Sequence, residues 1–163
     1  MNKIIRKGCH ACLHGFRFQK RYITFDFCVD DSWHYEPVNQ GVNKILGLSN
    51  GLLHMKHSIR LGWMCEDGEI ILYAYAHTGK TDEHVAKKIC RVTKGWHSCG
   101  IWIHKAFYQV QVDDTCITIP DKFYSRIHYL LYPFFGGRDK APHNIKIQIK
   151  KLQNEKGNYL KIF

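Results

Sequence analysis

The sequence predicts an all-β domain: an antiparallel two-sheet β-sandwich of about ten strands with little helix. Three observations lead there. Apolar and polar residues alternate with period two over many short segments. Gly- and Asp-bearing turn signals separate those segments. Runs with a helical apolar period are scarce. Aromatic residues reach 13% of the chain, and Tyr, Trp and Phe suit a pleated, half-buried surface.

In chain order, residues 15–29 read as extended, with Phe16, Phe18, Tyr22, Thr24, Asp26 and Cys28 in rough alternation. Residues 30–50 read as a long loop. Lys56 to Cys65 is a strand with His57, Ile59, Leu61 and Trp63 on one side and Lys56, Ser58, Arg60 and Gly62 on the other. Glu66-Asp67-Gly68 signals a hairpin. The returning strand, Glu69 to His77, sets Ile70, Leu72, Ala74 and Ala76 against Ile71, Tyr73, Tyr75 and His77. A turn at 78–82 leads to a strand at 84–92, whose first residues could also form a helical turn. Residues 100–112 read as one long strand, and Asp113-Asp114 turns it into 115–119. One short helical turn is expected within 121–127. Further strands follow at 129–135, at 144–150 with Ile145, Ile147 and Ile149 inward, and at 158–163. Clean alternation argues for antiparallel sheets with one face buried.

With 163 residues, no repeat and no Pro/Ser linker, the whole chain, 1–163, reads as a single domain with room for a real core. Lys and Arg number 24 against 14 Asp and Glu, a formal charge of +10, with 11 His in reserve at lower pH. That balance favours an anionic partner. Residues 1–13 lack the apolar run of a signal peptide, and no stretch is long and apolar enough for a membrane helix. Seven Cys, an odd number scattered through strand-like segments, suit reduced thiols. The expectation is a cytoplasmic protein without a membrane partner; the oligomeric state is open.

The two central strands locate the expected site. If Ile59, Leu61 and Trp63 meet Leu72, Ala74 and Ala76 in the core, then Ser58 and Arg60 share the opposite face with Tyr73, Tyr75 and His77. Lys56, Ser58 and Arg60 place two cations and a hydroxyl at two-residue intervals, chemistry suited to a phosphate or carboxylate. The alternative is an Arg60 paired with an acid and tyrosines packed under a loop.

Tyr132-Pro133-Phe134-Phe135-Gly136-Gly137, followed by Ala141-Pro142-His143 and the Ile145/Ile147/Ile149 strand, resembles the closing strands of the concanavalin A-like jelly-roll sandwich. Lectins and several polysaccharide lyases use that fold. The resemblance implies a ligand on the concave sheet, and so a groove near Arg60, Tyr73, Tyr75, Gln109 and Gln111. The chain departs from the lyases: Gln109-Val110-Gln111 has no His at its third position, and only Tyr159-Leu160-Lys161 approximates their Tyr-x-Lys strand.

Other constellations are weaker. Cys9-His10-Ala11-Cys12 with His14 has zinc-like spacing but no second pair of ligands, so no metal and no cofactor is assigned. Gly79-Lys80-Thr81 lacks the remainder of a P-loop. Gly136-Gly137-Arg138-Asp139-Lys140 could wrap an anion with backbone amides and two cations. His54 and His57 are three residues apart and fall on opposite faces of a strand. No catalytic residue is assigned.

The leading expectation is non-catalytic binding of a small anionic, nucleotide-like ligand by Lys56, Ser58, Arg60, Tyr73, Tyr75 and Gln109, with Arg138 and His143 at the rim. Such a domain would act as a ligand sink, as some phage-encoded counter-defence proteins do. The alternatives are a lyase-like enzyme or lectin acting on acidic glycans, and a nucleic-acid-binding domain. Basic residues are scattered, apart from clusters at Lys3–Lys7 and Lys146–Lys151, which weakens the last.

Overall fold

A computed structural model describes residues 1–39, 41–79 and 83–153. Two six-stranded antiparallel sheets stack face to face. Sheet A runs β1 (Asn2–Ile5), β12 (Ile145–Gln153), β3 (Tyr22–Val29), β8 (Gly95–Ile103), β9 (Phe107–Val112) and β10 (Thr115–Pro120). Sheet B runs β2 (Phe18–Gln19), β11 (His128–Leu131), β4 (Asn43–Ser49), β5 (His57–Glu66), β6 (Glu69–Thr78) and β7 (Val85–Val92). This is a jelly-roll β-sandwich. The helix expected within 121–127 is absent, and the one helical piece among the described residues is a 3-10 turn at Asp31–Trp33.

Alternation builds the core. Ile59, Leu61 and Trp63 of β5 face Ile101, Val110, Ile145 and Ile147 of sheet A across the interior, all at most 1% exposed. Trp33 bridges the layers: its ring stacks on Phe27 at 6.0 Å and meets Trp63 at 4.8 Å, and its Nε1–H donates to the Lys146 carbonyl at 2.8 Å. A buried indole needs that acceptor.

The β5–β6 hairpin closes through Asp67 and Gly68, both at positive φ (50° and 78°), as a two-residue turn matched to strand twist requires. Its register pairs Arg60 with Tyr75, Ser58 with His77 and Gly62 with Tyr73.

Several stretches differ from the expectation, beginning with 15–29, which divides into β2 of sheet B and β3 of sheet A. Residues 43–49 are not loop but β4, the strand beside Arg60's own. Residues 100–112 are not one strand: His104 N–H donates to the Phe107 carbonyl at 2.9 Å and folds β8 back as β9. The strand expected at 129–135 runs unbroken only to Leu131; past Tyr132-Pro133 the chain pairs again at Phe134, in isolated bridges to Lys44 and Ala11. The strand proposed at 158–163, with Tyr159-Leu160-Lys161, lies outside the described residues, as does most of the turn at 78–82. No helix among the described residues is long and apolar enough to cross a membrane.

Candidate functional site

The outward face of sheet B carries a cationic cleft, and Arg60 lies at its centre. Gly47 of β4 sits directly opposite Arg60. A Cβ at Gly47 would lie 2.5 Å from Arg60 Cγ and 2.3 Å from the Ile59 carbonyl oxygen. The missing side chain therefore lets Arg60 lie across β4, where its Nη2–H donates to the Tyr132 carbonyl. Beyond it opens a cavity of about 410 Å³ lined by Arg60, His54, Tyr129, Tyr132, His14 and Phe16, among others.

Lys44, the second cation, comes from the stretch read as loop. It is buried at 7% exposure, with Nζ 4.4 Å above the Tyr75 ring and 3.3 Å from the Gly136 carbonyl. Burial, and then repulsion from Arg60, lower its pKa to about 8. Burial also lowers that of Arg60, to about 10, although Tyr75 and Tyr129 oppose the shift. No carboxylate among the described residues forms an ion pair with either cation. Arg60 Nε is buried without a hydrogen-bond partner among the described residues.

Aromatic groups and imidazoles surround these cations. His54 Nδ1 is hydrogen-bonded to the Tyr129 hydroxyl at 2.7 Å, and that hydroxyl donates to the Leu52 carbonyl at 3.1 Å. Burial, then Arg60, push the His54 pKa below its usual value, so the ring is neutral. Tyr75 stacks on His84 at 4.8 Å, and burial raises its phenol despite Arg60. His14 stacks on Tyr132 at 4.4 Å, and Phe16 leans on Tyr129 at 5.1 Å.

The structure brings together Arg60 and Tyr75, with the buried Ser58 one pleat along β5 from Arg60. Ser58 Oγ has no partner among the described residues, but it is fully enclosed. Tyr73 shares the face, yet its hydroxyl is taken by Glu66, which is ion-paired with Lys88 at 2.8 Å. Lys56 is exposed in the turn before β5. Gln109 is not near this cleft. It lies on the outward face of sheet A, on the other side of the sandwich, because β9 belongs to that sheet. Arg138 is exposed on the 136–144 loop, and His143 packs that loop onto the 3-10 turn through the Ser32 carbonyl at 2.9 Å. His54 and His57 part as expected: His57 pairs with Asp121 at 3.0 Å and stacks on Phe123.

Lys44, Tyr129 and Tyr132 escaped the sequence reading. A lone Lys within an apolar run, Lys44-Ile45-Leu46, was the available signal. Among the described residues no group of three or more His, Cys, Asp or Glu is placed to hold a metal ion.

No protein-family model and no curated protein matches the chain. Solved structures do. The chain is similar to an alginate lyase of Pseudomonas aeruginosa (TM-score 0.57, 9% identity, 83% of this chain and 64% of that one). It is similar to a glycoside hydrolase family 16 endo-glucanase of Bacteroides ovatus (TM-score 0.54, 11% identity, 91% of this chain and 77% of that one). It is also similar to an uncharacterized protein of Mycobacterium paratuberculosis (TM-score 0.51, 11% identity, 91% and 81%). The chain spans less than two thirds of the alginate lyase. At these identities the likeness establishes the concanavalin A-like jelly-roll fold and nothing finer.

Proposed function

We propose that the sheet-B cleft binds a carboxylate-bearing sugar of an acidic glycan, with Arg60 and Lys44 neutralising the carboxylate. The observation that carries this reading is a buried lysine and a half-buried arginine with no carboxylate partner in the described structure. Uncompensated buried charge is costly, and an anion entering the cleft would offset that cost. Tyr129, Tyr132 and Phe16 offer flat apolar surface for sugar rings, while the Arg60 fork suits a carboxylate. Two of the fold neighbours, the alginate lyase and the endo-glucanase, act on polysaccharides, which supports a glycan over other anions. A nucleotide would meet the same cations with its phosphate and the same aromatic faces with its base, so the titration below sets it against the uronate.

The test is a calorimetric titration with hexameric oligouronates, matched neutral hexasaccharides and a nucleotide panel. Saturable uronate binding is expected, weakened by about 1.5–3 kcal/mol in Arg60→Ala. Nucleotide binding alone would replace the glycan with a phosphate ligand. Binding that survives unchanged in a folded Arg60→Ala protein would remove this cleft from the function.

A second reading, β-elimination, rests on the neutral His54 hydrogen-bonded to Tyr129 beside Arg60. Arg60 would stabilise the charge developing on the uronate carboxylate while His54 takes the C5 proton, the C4–O4 glycosidic bond breaks to leave a C4–C5 double bond, and the Tyr129 hydroxyl protonates the leaving oxygen. Incubation with uronate polymers then yields chains with an unsaturated end, detectable by ultraviolet absorbance. Binding without that product leaves a lectin-like module.

A further inference from the structure

The chain crosses from sheet B to sheet A at Lys20 and Arg21, between β2 and β3. Facing that corner is the stretch between β10 and β11, residues 121–127. Residues of the two line a cavity of about 430 Å³, a volume in the range of small-ligand pockets. It shares no lining residue with the sheet-B cleft.

Both walls are tied down. At the corner, Ile103 N–H donates to the Arg21 carbonyl at 2.7 Å, and Leu130 N–H donates to the Arg17 carbonyl at 2.9 Å. The other wall has no ladder of its own, so side chains satisfy its backbone. Phe123 N–H donates to Asp121 Oδ1 at 3.0 Å. Asn50, buried at 1% exposure, donates to the Phe123 carbonyl at 2.8 Å and accepts from Ser125 N–H at 3.0 Å. Gly51 N–H donates to the Ile127 carbonyl at 2.9 Å. Tyr124 and Arg126 alternate with these anchored residues, so their backbone is fixed with them.

Positive charge collects between the walls. Lys20 and Arg21 line the cavity from the corner and Arg126 lines it from the opposite side; no Asp or Glu among the described residues does. Neither Lys20 nor Arg126 forms an ion pair among the described residues. His128, 4% exposed, donates from Nδ1 to the Ser49 carbonyl at 3.0 Å. Burial lowers its pKa and the Arg21 charge adds to the shift, although the Ser49 hydrogen bond opposes it.

A second observation is independent of charge. Tyr22 lines the same cavity at 7% exposure, and its hydroxyl is buried with no hydrogen-bond partner among the described residues. An enclosed O–H left unpaired is costly, and a ligand that brings an acceptor removes that cost.

We infer that this corner cavity binds a terminal phosphate group, free or as the monoester of a small molecule. A phosphate monoester carries about 1.5–2 negative charges at pH 7 and three strong acceptor oxygens. Three cations and a hydroxyl donor match that demand. A sugar carboxylate, with one charge and two oxygens, would leave donors unused. The forks of Arg21 and Arg126 suit pairs of phosphate oxygens, and Lys20 adds a point charge. Tyr124, 37% exposed, offers flat apolar surface to the group the phosphate is attached to. The inference does not depend on the acidic-glycan reading of sheet B.

The test is a calorimetric titration of the full chain with inorganic phosphate, glycerol phosphate and adenosine monophosphate, beside a short oligothymidylate. Sodium chloride at about 150 mM screens diffuse surface attraction. Saturable binding of at least one of the first three compounds is expected with a Kd below about 1 mM. Arg126→Ala should weaken it about tenfold or more. Tyr22→Phe removes one oxygen and no internal hydrogen bond, so the melting temperature should hold while binding falls several-fold. Equal affinity for inorganic phosphate and the esters assigns the site to free phosphate. An ester bound about tenfold more tightly, with that margin lost in Tyr124→Ala, assigns it to the ester. The inference is overturned if none of the three binds below about 1 mM, or if the oligothymidylate binds more tightly than all of them. It is equally overturned if binding is lost in Arg60→Ala, which would move the phosphate to the sheet-B cleft, or persists undiminished in both Arg126→Ala and Tyr22→Phe.

Discussion

Gly47 decides where the Arg60 guanidinium goes. With a Cβ 2.5 Å from Arg60 Cγ and 2.3 Å from the Ile59 carbonyl, either the side chain or the strand spacing would have to give. Gly47→Ala is therefore expected to cost about 1–3 kcal/mol in urea unfolding and to abolish uronate binding together with it. Lys44 supplies a pH dependence. Its folded pKa, about 8, lies below the ordinary 10.5, so the unfolded chain holds the proton over that window. Stability from this group alone thus rises with pH between the two values, since the buried charge is penalised below 8 and relieved above it. An anionic ligand selects the protonated form, so its affinity moves the other way. Calorimetry across this range should show binding weakening as pH passes about 8, while Lys44→Met binds more weakly throughout and loses that step. Neither residue was legible beforehand. Gly47 looks like loop punctuation, and nothing local says that Lys44 is buried.

At the scale of elements, strands with one buried face were readable and those without were not. In β5, β6 and β12 the alternation maps directly onto burial, as Ile145, Ile147 and Ile149 at 0–2% exposure illustrate. In β4 every residue is buried, because β5 and β11 flank it and the Arg60 side chain lies across its outer side. A register shift between Lys44 and Leu46 breaks the alternation further. The β8–β9 turn went unseen because His104-Lys105-Ala106 contains none of the usual turn residues. The Asp67-Gly68 turn was visible because both residues tolerate positive φ. At Gly68, φ is +78° with nothing within 4 Å of a would-be Cβ, so backbone strain acts there without a clash. Gly68→Ala should therefore destabilise the protein by about 1–2 kcal/mol, read as a shift in urea midpoint with the denaturant slope unchanged.

At the scale of the molecule, the layers are joined through one aromatic stack. Trp33 is fully buried between Phe27 and Trp63, and removing it opens a cavity that neither sheet can close alone. Trp33→Ala should cost about 3–5 kcal/mol and lower the melting temperature of both sheets in one transition. What the sequence by itself determined is the fold class, the β5–β6 hairpin and the face that Arg60 shares with Tyr73 and Tyr75. These follow from period-two alternation and local turn chemistry, which act within a few residues. Only the tertiary structure decided which strands share a sheet. It placed Gln109 on the far side of the sandwich from Arg60, and it brought His54 and Tyr129 to the cavity at Arg60 and Lys44 onto the Tyr75 ring, from three separate stretches of chain. The period of a strand says which residues share a face; which sheet carries that face depends on long-range pairing, and no local pattern encodes it.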